Sequence, residues 1–285
     1  MAVPLPTSAQ RPWHLDFWGL ATEPFRPTLR WPQERGSLFP NRAWQEALAR
    51  LHYVSEYQFG LAILAGPSGT GKSLLLRAAA DELALQNLRP LIHACQPGTN
   101  SGAYPLGIPS SEETRQIFQV CLDGHSSILT EDRYVLMLDD VQRVWSQRDV
   151  LHRLIDRALE QRQLGCLVLT VPLTQGAEVF EEFASLAPLL IRLPPLAEWE
   201  VADYLQHRFE WAGGQGQPFT EECSTQMHRF TQGIPRLLNR LAHECLLMAA
   251  LREQREISEM LVAETHRGTL AITLNSSDPS SIRAA

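Results

Sequence analysis

The stretch that decides the fold is Gly60-Leu-Ala-Ile-Leu-Ala-Gly66-Pro-Ser-Gly-Thr-Gly71-Lys72-Ser73-Leu-Leu-Leu-Arg-Ala-Ala-Ala-Asp81. Its first six residues form a short apolar run of the kind a fully buried strand shows, and residues 72–86 read as a helix. Between them lies a loop that fits the pattern G-x-x-x-x-G-K-S/T. In such a loop the glycines let the chain turn its N–H groups inward, and the helix start adds positive potential for a phosphate. Gly66, Pro67, Ser68, Gly69, Thr70, Gly71, Lys72, Ser73 and Leu74 are therefore assigned to a nucleotide cradle. Lys72 is expected to meet the β- and γ-phosphates of ATP, and the Ser73 hydroxyl to bind Mg²⁺. Composition singles out the same residue: of the 25 basic residues, all but Lys72 are arginine. A compact ammonium that fits among phosphates is not interchangeable with a guanidinium.

Downstream, Tyr134-Val-Leu-Met-Leu-Asp139-Asp140 supplies a second half-site. An apolar strand ends there in two carboxylates, at the strand edge where open α/β sheets bind ligands. Asp139 is expected to hold Mg²⁺ through water and Asp140 to orient the attacking water. Around these two motifs, strands at 60–65, 90–94, 134–138, 166–170 and 189–193 alternate with helices at 72–86, 112–122, 147–162 and 175–184. That alternation predicts an α/β fold, a parallel sheet of the P-loop NTPase type sandwiched by helices. After Pro194-Pro195 only helices are expected, at 198–211, 220–231, 235–252 and 258–266. In the third, Leu237, Leu238, Leu241, Cys245 and Met248 form an apolar stripe, with Asn239, Arg240, His243 and Glu244 off it. Four parts result: a proline- and aromatic-rich arm (1–40), an ATPase core (41–195), a small all-α lid (196–268) and a Ser-rich tail read as disordered (269–285). Asn41 is expected to cap the helix carrying Trp44, Leu48 and Leu51.

Two further polar positions are candidates for sensing the γ-phosphate. Thr170 ends a strand expected to lie between the P-loop strand and the Asp139 strand. Arg236 opens a lid helix in Gly233-Ile-Pro-Arg236. The plainer readings are a strand-end threonine and a solvated arginine. The basic run Arg143, Arg148, Arg153, Arg157 and Arg162 is interleaved with Asp149, Asp156 and Glu160, the pattern of a solvated face with local ion pairs. A subunit or nucleic-acid contact is the other reading of that run. The nine histidines show no metal-ligand spacing.

The chain has 285 residues, is 44% hydrophobic and carries a net charge of −7. That balance argues against retention on nucleic acid by bulk charge, although a local basic patch remains compatible with it. No apolar run reaches the roughly 18 residues of a membrane helix, and the N-terminus lacks the order of a signal peptide. Five cysteines without CxxC spacing, mostly among apolar neighbours, read as buried thiols in a reducing cytoplasm.

The order of parts resembles an AAA+ ATPase, a P-loop sheet domain followed by a helical lid. A closer likeness is to the ExeA/GspA-type general secretion ATPases, related to transposition ATPases of the TniB/MuB/TnsC kind. It rests on Phe17-Trp-Gly-Leu…Glu23-Pro-Phe25, on Arg192-Leu-Pro-Pro-Leu196…Tyr204-Leu-Gln-His-Arg-Phe…Ala212-Gly213, and on Thr231-Gln-Gly-Ile-Pro-Arg236-Leu-Leu-Asn239-Arg-Leu. The resemblance implies binding of ATP and ADP with Mg²⁺, hydrolysis, nucleotide-dependent homo-oligomers and a protein partner in a secretion or assembly system. A DNA partner is the less favoured reading. The family usually carries Asp-Glu where this sequence has Asp139-Asp140, which implies slow turnover. Its arginine after the fourth strand is replaced near Pro188-Leu189, with Arg192 the nearest substitute. Secretion members also continue into a membrane helix and a wall-binding domain, before which this sequence ends.

Overall fold

The computed structural model describes residues 12–26, 31, 33–57, 60–96, 106, 111–123, 132–160 and 164–276. They group into two compact units: one from Asn41–Pro194, the other from the residues up to Pro40 together with those from Pro195 onward. The chain therefore passes between the units twice, at Pro40/Asn41 and at Pro194/Pro195.

The first unit holds strands β1 (Gly60–Gly66), β2 (Leu88–Ala94), β3 (Arg133–Asp139), β4 (Leu164–Pro172) and β5 (Leu189–Arg192). They form one sheet in the order β2-β3-β4-β1-β5, with every neighbouring pair parallel. β4 thus stands between the P-loop strand and the Asp139 strand, as its sequence position predicts. Period-two alternation divides the strand side chains between two apolar layers. Leu61, Ile63, Ala65, Leu136, Leu138, Leu167 and Leu169 face one layer, joined by Leu151, Leu154 and Ile155 of α5 (Arg148–Glu160). Ala62, Leu64, Val135, Met137, Cys166 and Val168 face the other, joined by α2 (Arg42–Glu56) and α3 (Lys72–Leu85). Both faces being covered explains why these strands read as continuous apolar runs. The Asn41 side chain accepts from Trp44 N–H at 2.9 Å and so caps α2. Helices α4 (Glu112–Asp123) and α6 (Leu173–Glu182) complete this unit. The helix expected over 147–162 is present as α5 from Arg148, and a 3₁₀ segment, Val141–Gln147, that the sequence did not announce precedes it.

The second unit is built on α7 (Glu198–Trp211), α8 (Glu221–Thr231), α9 (Pro235–Leu251) and α10 (Glu259–Ser276), with the short α1 (Trp13–Trp18) of the arm. Leu15, Trp18, Leu20 and Phe25 enter the same apolar cluster as Val201, Leu205, Phe209, Leu238 and Cys245. Trp18 donates its indole N–H to the Leu246 carbonyl at 3.0 Å. The buried Arg208 guanidinium donates from Nε to Pro24 O at 2.8 Å and from Nη1 to Ser37 Oγ at 3.2 Å. This packing corrects the expected stripe on α9. Leu237 is exposed, whereas Asn239 is buried and accepts from the Tyr204 hydroxyl at 2.6 Å. The helix packs on α1 of the arm as well as on α8 and α10, so its covered arc is wider than one stripe. A second correction concerns the tail: α10 runs on to Ser276, so residues 269–276 are helical. Thr269-Leu-Ala-Ile-Thr-Leu274 carries apolar residues enough to continue a helix already begun. The expectations for 97–105, 107–110 and 277–285, and for Arg162, lie outside the described residues. Cys95, Cys166, Cys223 and Cys245 are buried thiols.

Candidate functional site

Because the strands are parallel and in register, their ends gather at one sheet edge. Leu64 lies opposite Thr170 and Gly66 opposite Pro172, Leu138 lies opposite Leu169, and Ala94 lies opposite Asp139. The glycine loop, Thr170 and the two aspartates therefore emerge together.

The loop itself is shaped by close backbone approach. A Cβ on Gly66 would lie 2.4 Å from the Leu193 carbonyl oxygen, so only glycine fits where the chain leaves β1 beside the end of β5. Gly69 and Gly71 hold φ of 93° and 102°, in the left-handed region, and Gly71 caps α3. Lys72 is buried and folds over the loop, donating from Nζ to Gly66 O at 2.8 Å and to Pro67 O at 3.1 Å. Thr70 is tied to the Pro67 carbonyl by its hydroxyl at 3.0 Å. Ser73 is exposed and Leu74 half-buried in the first turn of α3, where the helix leaves N–H donors unpaired within itself.

Thr170 joins the two carboxylate positions. Its hydroxyl donates to Asp139 Oδ1 at 2.5 Å and accepts the Asp140 backbone N–H at 2.8 Å. Thr170 is fully buried, so neither bond is exchanged for water at that end. Asp140 adopts φ 59°, ψ 45°, a left-handed conformation that aspartate visits more readily than most residues. Its carboxylate accepts Gln142 Nε2 at 3.0 Å on Oδ1 and Arg143 Nε at 3.2 Å on Oδ2. Cys95, whose N–H bonds the Asp139 carbonyl at 2.8 Å, lies beside the pair. Burial first, then the charges of Asp139 and Asp140, push its thiol up to about 12, which keeps it protonated.

The residues present fit Mg²⁺. Asp139 has a second carboxylate oxygen beyond the one Thr170 engages, and Ser73 offers an exposed hydroxyl, both hard oxygen donors. Arg236 lies in the other unit, exposed in the first turn of α9. Gly233 before it holds φ 70°, and a Cβ there would meet the Leu196 carbonyl oxygen at 1.9 Å. Arg192 ends the edge strand β5 and is exposed. Sequence reasoning did not foresee the engagement of Asp140 by Gln142 and Arg143. The i, i+3 spacing of Asp140 and Arg143 was the available signal.

A parallel sheet with β4 between the P-loop strand and the Asp139 strand, and a cradle at the strand ends, make up a P-loop fold of the AAA type. Residues 62–170 match the model of the ATPase family associated with various cellular activities (AAA). The chain is similar to the General secretion pathway protein A of Aeromonas hydrophila, 23% identical over 262 residues, 86% of this chain and 46% of the relative. It thus spans about half the length of that relative. Among solved structures, it is similar in fold to the Holliday junction branch migration motor RuvB of Thermotoga maritima. The TM-score is 0.52 at 15% identity, over 78% of this chain and 68% of that one. Drosophila ORC bound to DNA gives a TM-score of 0.56 at 14% identity, over 92% and 70%. Cdc6p from Pyrobaculum aerophilum gives 0.54 at 14%, over 85% and 69%. Among the described residues, no helix is long and apolar enough to cross a membrane.

Proposed function

We propose that this chain binds Mg·ATP on residues 66–74, hydrolyses it slowly, and uses the cycle to drive assembly or conformational change in a partner complex. The observation that carries this reading is the Thr170 hydroxyl, which fixes Asp139 and Asp140 together at the sheet edge where the loop opens. Lys72 meets the β- and γ-phosphates, leaving the Gly66 and Pro67 carbonyls. Ser73 and Asp139 would hold Mg²⁺, which would offset the charge of the phosphates. Asp140 accepts a hydrogen from the attacking water and aims it. An aspartate there is one methylene shorter than a glutamate, which supports slow turnover. Arg236 acts as a sensor of the γ-phosphate, a role supported by its exposed place after the constrained Gly233. The likeness to General secretion pathway protein A supports a secretion or envelope partner acted on from the cytoplasm, and AAA+ modules commonly assemble with nucleotide.

Phosphate release under single-turnover conditions tests the reading. Wild type should release phosphate with Mg·ATP, Asp140→Asn should fall by roughly 10²-fold or more, and Asp140→Glu should gain. A wild-type rate equal to that of Asp140→Asn would overturn the hydrolysis reading. A nucleotide-gated DNA-binding regulator with little hydrolysis is the second reading, favoured by the engagement of both Asp140 oxygens. It requires ATP-dependent DNA binding that falls steeply with salt; the net charge of −7 weighs against it.

A further inference from the structure

Asp140 stands at the position where an aspartate ordinarily turns its carboxylate onto the backbone N–H groups of the following turn. Here it makes no such bond. Side chains hold it instead, Gln142 on Oδ1 and Arg143 on Oδ2, so the carboxylate is drawn along its own turn. The turn is itself unusual. Val141–Gln147 is seven residues of 3₁₀ helix, where runs beyond three or four are uncommon and often mark a hinge. Its inner side is pinned by the fully buried Val141 and Val144, and Trp145 donates to Glu178 Oε1 of α6 at 2.9 Å. Its outer side carries Arg143, whose side chain is 57% exposed, while Gln142 is half-buried with its Oε1 enclosed. The backbone is thus fixed while the Arg143 guanidinium can change partner without disturbing the core.

We propose that Arg143, assisted by Gln142, is a positioning residue that holds the Asp140 carboxylate in a resting orientation, and that hydrolysis proceeds from the fraction of molecules in which this hold is released. The inference rests on the role of Asp140 proposed above. An exposed ion pair of this geometry shifts such an equilibrium by up to about fivefold. Arg143→Ala should therefore raise kcat about two- to fivefold with KM for ATP unchanged, and Arg143→Lys, which lacks the Nε–H, should fall between. In an Asp140→Asn background Arg143→Ala should change nothing, an outcome a merely structural role would not give. A second readout does not use turnover. The Arg143 Nε–H resonance, assigned by its loss in Arg143→Lys, should be shifted and slow to exchange in wild type and should revert to that of a free guanidinium in Asp140→Asn.

Arg143→Ala that binds ATP normally but turns over at or below the wild-type rate overturns the hold and leaves the ATPase reading standing. An Arg143 Nε–H that is the same with and without the Asp140 carboxylate overturns it as well. Phosphate release that is independent of Lys72 in every variant overturns the ATPase reading, while the resonance still decides the hold.

Discussion

Replacing Thr170 by valine removes one hydroxyl and almost no volume, from a side chain with no exposed surface. Two bonds go with it. The 2.5 Å bond to Asp139 Oδ1 is charge-assisted, a class worth about 1.5–3 kcal/mol. The 2.8 Å bond from the Asp140 N–H leaves a donor to be satisfied elsewhere, at about 1–3 kcal/mol. Asp140 borders solvent, so the second figure belongs at its low end, and valine regains a little by burying a methyl. The net loss is about 3 kcal/mol, which in a unit of this size lowers Tm by roughly 6–12 °C. Thr170→Ser keeps both bonds and loses one buried methyl, about 1 kcal/mol. Thermal melts followed by Trp44 and Trp145 fluorescence should therefore rank wild type above serine and serine above valine. Hydrolysis should fall further in valine than in serine, because the turn that carries Asp140 loses its anchor. A valine variant melting at or above the serine variant would refute the bridging role of the hydroxyl.

Other outcomes follow from the same geometry. Gly233→Ala, with its Cβ directed at the Leu196 carbonyl and φ at 70°, should destabilise the helical unit by more than about 2 kcal/mol in urea denaturation; a normal midpoint would contradict the close approach. In the arm, Glu23 bonds His14 Nε2 at 2.6 Å and His243 Nδ1 at 3.3 Å. The Glu23 hydrogen bond raises the His243 pKa above its ordinary 6.5 against the opposing effect of burial. Burial alone would raise the Glu23 carboxyl, but its bonds to and the charges of the two histidines outweigh burial and hold it below 4.5. The His243 contribution is complete below pH 6.5 and is lost as pH rises through its raised pKa. The Glu23 contribution is present above pH 4.5 and is lost as pH falls through its lowered one. His243→Ala should thus cost up to about 1 kcal/mol at pH 5.5–6 and almost nothing at pH 9, since the ring is partly exposed. Equal losses at both pH values would contradict this. Arg236→Ala should leave ATP affinity within about threefold and lower turnover at least tenfold; unchanged turnover would remove the sensor assignment.

Much of the first unit was legible because its signals are local. The apolar run at 60–65, the glycine loop and the helix after it are contiguous, and the Asp139 strand ends in charge that could not stay inside a sheet. Even the place of β4 followed from the order of motifs. Less of the site's detail was legible, because it depends on residues distant in sequence or on backbone conformation. Gly66 reads as a phosphate-loop glycine, yet the Leu193 carbonyl also demands it, from just past the end of β5, more than a hundred residues later. Asp140 reads as a carboxylate at a strand end, but its left-handed φ and its bonds to Gln142 and Arg143 arise only once a 3₁₀ segment forms in the connection between β3 and α5. The arm shows the same limit. Its aromatics announced burial, but only the tertiary structure shows that Trp18 and Arg208 tie it to the helical unit, which in turn widens the buried arc of α9. Residues 269–276 read as part of a Ser-rich tail because their apolar pattern is short, yet a short pattern suffices to continue a helix already begun.

A nucleotide held by residues 66–74 is the central claim about this protein, and isothermal titration of Mg·ATP into wild type and Lys72→Ala tests it most directly. Lys72 lies over the Gly66 and Pro67 carbonyls at the mouth of the loop, so its replacement should leave the fold and melting profile near those of wild type. Wild type should show one site per chain, and Lys72→Ala should lose at least about 100-fold in affinity, near 3 kcal/mol. Equal binding in the two proteins, or no binding in a folded wild type, would contradict that claim.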